Sequence, residues 1–290
     1  MSSSRVGERK RFFTAFDGGL GREGNPALAG DFFGLLRASV RSTTSLHSMR
    51  FASLLVFCLV AATGWSVDFA QAIPGDCRAV ALVTGRDWSS PVGTLRRFER
   101  PDNRSPWRAV GTPMNTLLGE HGMAWGLGLH ASPNDGAPHK AEGDRRSPAG
   151  VFALGTAFGR VSREDVKWLR MPYQLLSPTT EAIDDPASRF YNRLVDRAQI
   201  AEPDWRSSEH MWKVPDYELG VIIASNPKHI TGAGSCIFLH LWIGNRDGTA
   251  GCTALHRADL VELLRWLDSA KRPVLVQLPE QVTRTSLTGF

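Results

Sequence analysis

Cys236-Ile237-Phe238-Leu239-His240-Leu241-Trp242, followed after a polar loop by Thr249-Ala250-Gly251-Cys252-Thr253-Ala254-Leu255, is the stretch of this 290-residue chain on which its reading turns. The first part is apolar almost throughout, the pattern of a strand at the centre of a sheet. The second part sits in a Gly-flanked turn ahead of an apolar-periodic segment. Between them, Gly244-Asn245-Arg246-Asp247-Gly248 carries turn-forming residues. A loop of this length can bring the ends of adjacent elements together and set the His240 imidazole near the Cys252 thiol.

Outward from this stretch the chain reads as strands and turns. Ala79-Val80-Ala81-Leu82-Val83-Thr84 is a short run of buried type, and Gly93 to Arg100 alternates like a half-buried strand. Trp107 to Gly111, Pro148 to Leu154, Tyr217 to Ala224 and Pro273 to Leu278 are further predicted strands. One helix is predicted from about His256 to Ser269, where Leu260, Leu263, Leu264 and Leu267 recur at helical spacing. Residues 171–216 form a long, turn-rich insertion. No repeat and no linker divides the chain, so a single mainly β domain over residues 77–280 is expected.

Composition agrees with a globular chain: 42% hydrophobic and 22% charged residues. The formal net charge of +5 comes from basic residues scattered among acids, with no Lys/Arg run. That pattern is a solvated surface, not a nucleic-acid stripe, so no nucleic-acid partner is expected.

The N-terminal region points to export. Met49-Arg50 precedes the apolar run Phe51 to Ala62, too short to span a bilayer comfortably but suited to a signal-peptide core. Ala70-Gln71-Ala72 supplies small residues where a signal peptidase reads, so residues 49–72 are expected to be a signal peptide cleaved after Ala72. No stable membrane insertion should follow cleavage. Residues 1–48, rich in Ser, Arg and Gly, are then either a mis-assigned start or a charged extension. Loss of Cys58 with the signal would leave Cys77, Cys236 and Cys252. An odd number outside the cytoplasm suggests one pair and one free thiol. Cys252, in its Gly-flanked turn, is the better free thiol, which leaves Cys77 and Cys236 as a candidate disulfide.

The chemistry of a thiol beside an imidazole is direct. A free thiol with a pKa of roughly 8.5 is mostly protonated at neutral pH. A neighbouring imidazole can take its proton, and a turn leading to a helix N-terminus would stabilise the anion. Amides around Cys252 could serve a developing oxyanion, worth about 3–4 kcal/mol per donor in well-studied hydrolases. Taken alone, a buried Cys is commonly an inert small hydrophobe and a His at a strand end a satisfied structural group.

The segment from His240 to Cys252 resembles the active-site signature of the YkuD-type L,D-transpeptidase catalytic domain: a His on a strand, a variable loop, then Ser/Thr-x-Gly-Cys. Lys140-Ala141-Glu142-Gly143-Asp144-Arg145-Arg146-Ser147-Pro148-Ala149-Gly150-Val151-Phe152 is similar to that family's Gly-Asp-x-x-Ser/Thr-Pro-x-Gly-x-Phe/Tyr strand start. The resemblance covers about residues 77–279. It implies a β-sandwich domain acting on peptidoglycan stem peptides in the periplasm or cell envelope. Cys252 would be the nucleophile and His240 the base, with the Leu241 carbonyl orienting the imidazole and the Gly251 and Cys252 amides serving the oxyanion. The acyl group would pass from a Cys252 thioester to an amine, giving a cross-link, or to water, giving L,D-carboxypeptidase activity. It implies no metal or organic cofactor; a monomer is expected.

The chain departs from the family pattern at Ala250, where many members have His, and at Ala254, where many have Arg. These leave nucleophile and base intact but open the question of what holds the substrate. Thr249, Trp242, Tyr191 and His210 are candidate substrate contacts, the last two in clusters that form a wall or simply pack the insertion. Glu209, His210 and Asp204 match no metal-ligand spacing. His130, in a Gly-rich stretch, lines the cleft or is structural. Papain-like peptidases place Cys before His, and sortases need an Arg near the last strand; neither pattern is present. A non-catalytic envelope-binding module is the remaining alternative.

Overall fold

The computed structural model describes residues 68–287 and 289–290. The segment 1–48 and the apolar run 51–62 lie outside the described residues. The strands are β1 (Ala79–Gly85), β2 (Val92–Glu99), β3 (Arg108–Leu117), β4 (Met123–Trp125), β5 (Ser147–Gly159), β6 (Tyr173–Leu175), β7 (Thr180–Ile183), β8 (Arg193–Asp196), β9 (Glu209–His210), β10 (Leu219–Ile223), β11 (Phe238–Leu241), β12 (Thr253–Leu255) and β13 (Val274–Pro279). The α-helices are α1 (Phe69–Ala72), α2 (Arg257–Trp266) and α3 (Glu280–Ser286).

The domain is mainly β, as the sequence predicts. Its principal sheet runs in the order β10-β11-β12-β3-β2-β1-β13-β5-β4, and β5 also pairs with β10. That pairing returns the sheet to its first strand. The long β5 makes it possible: Gly150 to Ala153 pair with β13, and Leu154 to Gly159 with β10. A strand that serves two neighbours in succession is how sheets turn corners in packed β architectures. β1 and β13, paired in parallel, are buried along nearly their whole length, which explains their unbroken apolar sequences.

Helix α2 presents Leu260, Leu263 and Leu264 to the core, each fully buried. Burial of such a side chain stabilises by about 1.5–3 kcal/mol. The observed helix stops at Trp266 because Leu267 is already extended, and Ser269–Lys271 form a separate 3-10 turn. The predicted strand from Tyr217 also shortens, because Pro215 starts a 3-10 turn over Pro215–Glu218, pre-set by its fixed φ. β3 runs on to Leu117, past the predicted strand end at Gly111, with a slip in register against β2 between Leu95 and Arg97.

The insertion folds as a separate three-stranded sheet in the order β8-β7-β9. Phe69 of α1 is 2% exposed and stacks on Trp125 with ring centroids 5.3 Å apart. Cleavage after Ala72 would remove this core aromatic. A mature domain that keeps the contact begins upstream of Phe69.

Candidate active site

β11 and β12 set the site. They pair in parallel with His240 opposite Ala254 and Leu239 opposite Thr253. Side chains alternate along a strand, so Cys252, two residues before Ala254, falls on the face of His240, offset by roughly 6.6 Å along the strand axis. Both line one cleft of about 530 Å³. Both are also nearly buried, His240 at 5% and Cys252 at 7% exposure.

His240 Nδ1 lies 2.8 Å from the Leu241 carbonyl oxygen. A carbonyl can only accept, so Nδ1 carries the proton and Nε2 holds the lone pair. The edge of the ring meets Tyr217 with centroids 5.3 Å apart. Burial holds the imidazole below its ordinary pKa; the Leu241 carbonyl and Asp216 act in the opposite sense, while Arg246 adds to the depression. The imidazole is therefore neutral and able to accept a proton at neutral pH.

The Cys252 thiol accepts from the Phe238 amide at 3.3 Å and points to the Cys236 carbonyl at 3.7 Å. Burial pushes its pKa up to about 12, and the Glu209 carboxylate adds to the rise. The Phe238 amide, the Lys140 ammonium and the Tyr217 hydroxyl pull it down. The resting pair is thus a protonated thiol and a neutral imidazole, not an ion pair.

The turn that carries Cys252 is bound from below by the second motif. Lys140 Nζ and Asp144 Oδ1 are 2.5 Å apart, and the Asp144 carboxylate also accepts the Ala141 and Arg146 amides, each at 2.9 Å. This closed turn delivers Ser147 to the start of β5. Ser147 Oγ donates to the Cys252 carbonyl at 2.9 Å and accepts the Gly119 amide at 2.8 Å. Thr249 Oγ1 donates to the same Cys252 carbonyl at 2.6 Å. Gly251 has φ +142, and a Cβ there would meet the Arg146 carbonyl at 3.1 Å; glycine is required by both conformation and space.

The geometry corrects several sequence expectations. The Gly251 amide donates to Thr249 Oγ1 at 3.1 Å and is already engaged, which leaves the Cys252 amide as the donor beside the thiol. Helix α2 begins only after β12, so its N-terminus does not abut Cys252. Trp242 lies outside this cleft; its ring stacks on His256 at 4.3 Å, beside a different cleft over β1, β2 and β3. His210 is half-exposed on the insertion sheet, 3.5 Å from Glu181, away from the cleft lining. Tyr191 stands behind the cleft wall, donating to Glu142. Cys77 and Cys236 are free, so the candidate disulfide is not formed. Cys77 is packed at the foot of β1 in the large core, and Cys236 belongs to the small apolar cluster around Cys252. His130 is structural: Nδ1 accepts the Val151 amide at 3.1 Å inside a cage of Phe69, Trp125 and Phe152.

Sequence reading missed Asp216, Tyr217 and Arg246 as cleft residues, and took Glu209 only as part of a wall or a non-matching metal set. Glu209 accepts the Tyr217 hydroxyl at 2.6 Å, and burial raises its pKa. Asp216 and Arg246 form an ion pair at 2.5 Å. Only Arg246 had a local signal, its place in the loop joining His240 to Cys252. Glu209, Asp216 and Tyr217 arrive from distant segments. Among the described residues, no grouping of three or more His, Cys, Asp or Glu side chains could hold a metal ion.

A thiol and an imidazole line one cleft, and the turn that carries the thiol is strapped by the Ser147 and Thr249 hydroxyls. Comparison with protein families matches residues 115–276, more than half of the chain, to YkuD, the L,D-transpeptidase catalytic domain. The chain belongs to this family. Comparisons with curated proteins and with solved structures return no match.

Proposed function

We propose that this protein is an exported cysteine acyltransferase acting on peptidoglycan stem peptides. The observation that carries the reading is the tautomer of His240: with Nδ1–H on the Leu241 carbonyl, Nε2 is the base in the cleft that holds Cys252. Attack of the thiol on the donor carbonyl forms the S–C bond as its proton passes to Nε2. Because the thiolate is disfavoured at rest, proton transfer accompanies attack and does not precede it. The imidazolium then gives the proton to the departing amine, leaving a thioester on Cys252. An acceptor amine attacks the thioester, returns its surplus proton through His240 and frees the thiol, with a new amide as cross-link. The Cys252 amide supports the oxyanion in both halves.

The domain works as a monomer in the periplasm or cell envelope. The insertion supplies Asp184, Glu209, Val214 and Asp216 to one wall of the cleft. The test is covalent: a tetrapeptide stem or a carbapenem should add the mass of its acyl group to Cys252, and Cys252→Ala and His240→Ala should abolish the adduct. Products resolved by mass then separate transfer to an amine from transfer to water. No adduct with either reagent would support a non-catalytic module.

A further inference from the structure

Beyond the proposed reacting pair, two cleft carboxylates, Asp184 and Asp216, each have a buried oxygen without a partner among the described residues, and Asp216 is the more deeply buried of the two. Asp216 is 3% exposed; its Oδ2 accepts Arg246 Nη1 at 2.5 Å, while Oδ1 is buried without a partner among the described residues. A bare oxygen on a buried carboxylate costs free energy and calls for an explanation.

Position supplies one. Asp216 lies in the turn over Pro215–Glu218, and the adjacent Tyr217 sets its ring against His240. The charged and titratable groups around the imidazole are few. Asp216 and Tyr217 come from the turn, Arg246 from the connecting loop and the Cys252 thiol from beside β12. Glu209 of β9 arrives through the Tyr217 hydroxyl. Asp216 favours the imidazolium and Arg246 opposes it. The pair is also asymmetric: the Arg246 side chain is 47% exposed, its partner 4%. The guanidinium can turn to a ligand, whereas the carboxylate cannot follow. Of the other cleft cations, Lys140 is buried against Asp144, and Arg145 is paired with Glu120, an exposed partner that can follow it. Position 254, two residues past the nucleophile, is a buried alanine and offers no cation.

We propose that Arg246 docks a carboxylate of the acyl donor and that, on docking, it releases Asp216 to serve as counter-ion to His240. The inference rests on the acyl-transfer reading. Arg246 is then a specificity residue and Asp216 a positioning residue that acts through the imidazole. In the free enzyme Arg246 opposes the effect of Asp216 on His240. With the donor bound, one uncompensated negative charge faces the ring as the thiol proton arrives. Binding of the right donor thereby strengthens the base.

The experiment uses the full-length protein, a stem tetrapeptide and its fully carboxamidated counterpart. Single-turnover acylation of Cys252 is followed by mass across pH. Wild type should acylate from the carboxylate donor at least about tenfold faster, and Arg246→Gln should erase that preference. The two substitutions should also move the acidic limb in opposite directions. A base must be neutral to act, so removing the anion in Asp216→Asn lowers the imidazole pKa and moves the limb to lower pH. Removing the cation in Arg246→Gln moves it up. Asp216→Glu should restore the wild-type limb. Retention of the donor preference in Arg246→Gln, or limbs that move together or not at all, would overturn the inference. Should Asp216→Asn fail to fold, Arg246→Gln, at an exposed side chain, decides through donor preference and the direction of its limb. Wild type that acylates equally from both donors refutes the docking role alone; wild type that acylates from neither refutes the acyl-transfer reading.

Discussion

Raising pH should activate the Cys252 thiol of the free enzyme steadily, with no plateau near neutrality. Burial sets its pKa at about 12 against 9.0 for an ordinary thiol. Three pH units correspond to about 4 kcal/mol against the thiolate. At pH 7 only about one thiol in 10⁵ is ionised. Alkylation by iodoacetamide, which consumes thiolate, should therefore accelerate roughly 100-fold between pH 7 and pH 9 and keep rising. Cys252 is separated from Cys77 and Cys236 by peptide mass mapping after timed quenching. The same burial leaves a stability signature. The unfolded thiol ionises above about pH 9 while the folded one stays protonated, so the folded state binds more protons in that window. Stability should be undiminished below pH 9 and decline as pH rises toward 12, less steeply in Cys252→Ala. An alkylation rate that levels off below pH 8 would refute the argument, because it would mean a preformed thiolate–imidazolium pair.

Other outcomes follow from individual contacts. Ser147→Ala removes a bond to the Cys252 carbonyl and strands the buried Gly119 amide, so urea unfolding should show a loss of about 2 kcal/mol and acylation should slow. Gly251→Ala forces a side chain against the Arg146 carbonyl at a positive φ; we expect more than about 1 kcal/mol of destabilisation and loss of the adduct, measured by thermal unfolding and mass. Phe69→Ala empties a stacked core site and should cost about 3 kcal/mol in thermal unfolding. Cys77 and Cys236 should both alkylate in denaturant without reductant.

Much of the architecture was legible because its signals are local. Unbroken apolar runs marked β1, β11 and β13, and the leucine spacing marked α2, since buried strands and amphipathic helices imprint their periods on neighbouring residues. The short strands of the insertion left no such mark. β9 is two residues long and pairs only with β7, so its existence depends on a partner far along the chain. Trp242 misled for a related reason: adjacency to His240 and Leu241 in sequence does not survive the end of a strand, where the next residue is free to leave the face. The cysteines misled because counting thiols says nothing of which core each one enters.

Sequence alone singled out Cys252, His240 and the loop between them, because both residues and a glycine-bearing turn lie within one short stretch. It also placed the Gly-Asp-x-x-Ser-Pro motif as a unit. Tertiary structure decided what surrounds them. Parallel pairing of β11 with β12 put thiol and imidazole on one face, and Ser147 reached across from β5 to hold the Cys252 carbonyl. Closure of β10 onto β5, with the turn before β10 packed on β11, brought Tyr217 and Asp216 to the imidazole. Burial then set the resting protonation of Cys252 and His240. Desolvation and long-range pairing depend on neighbours distant in sequence, and no local pattern records them.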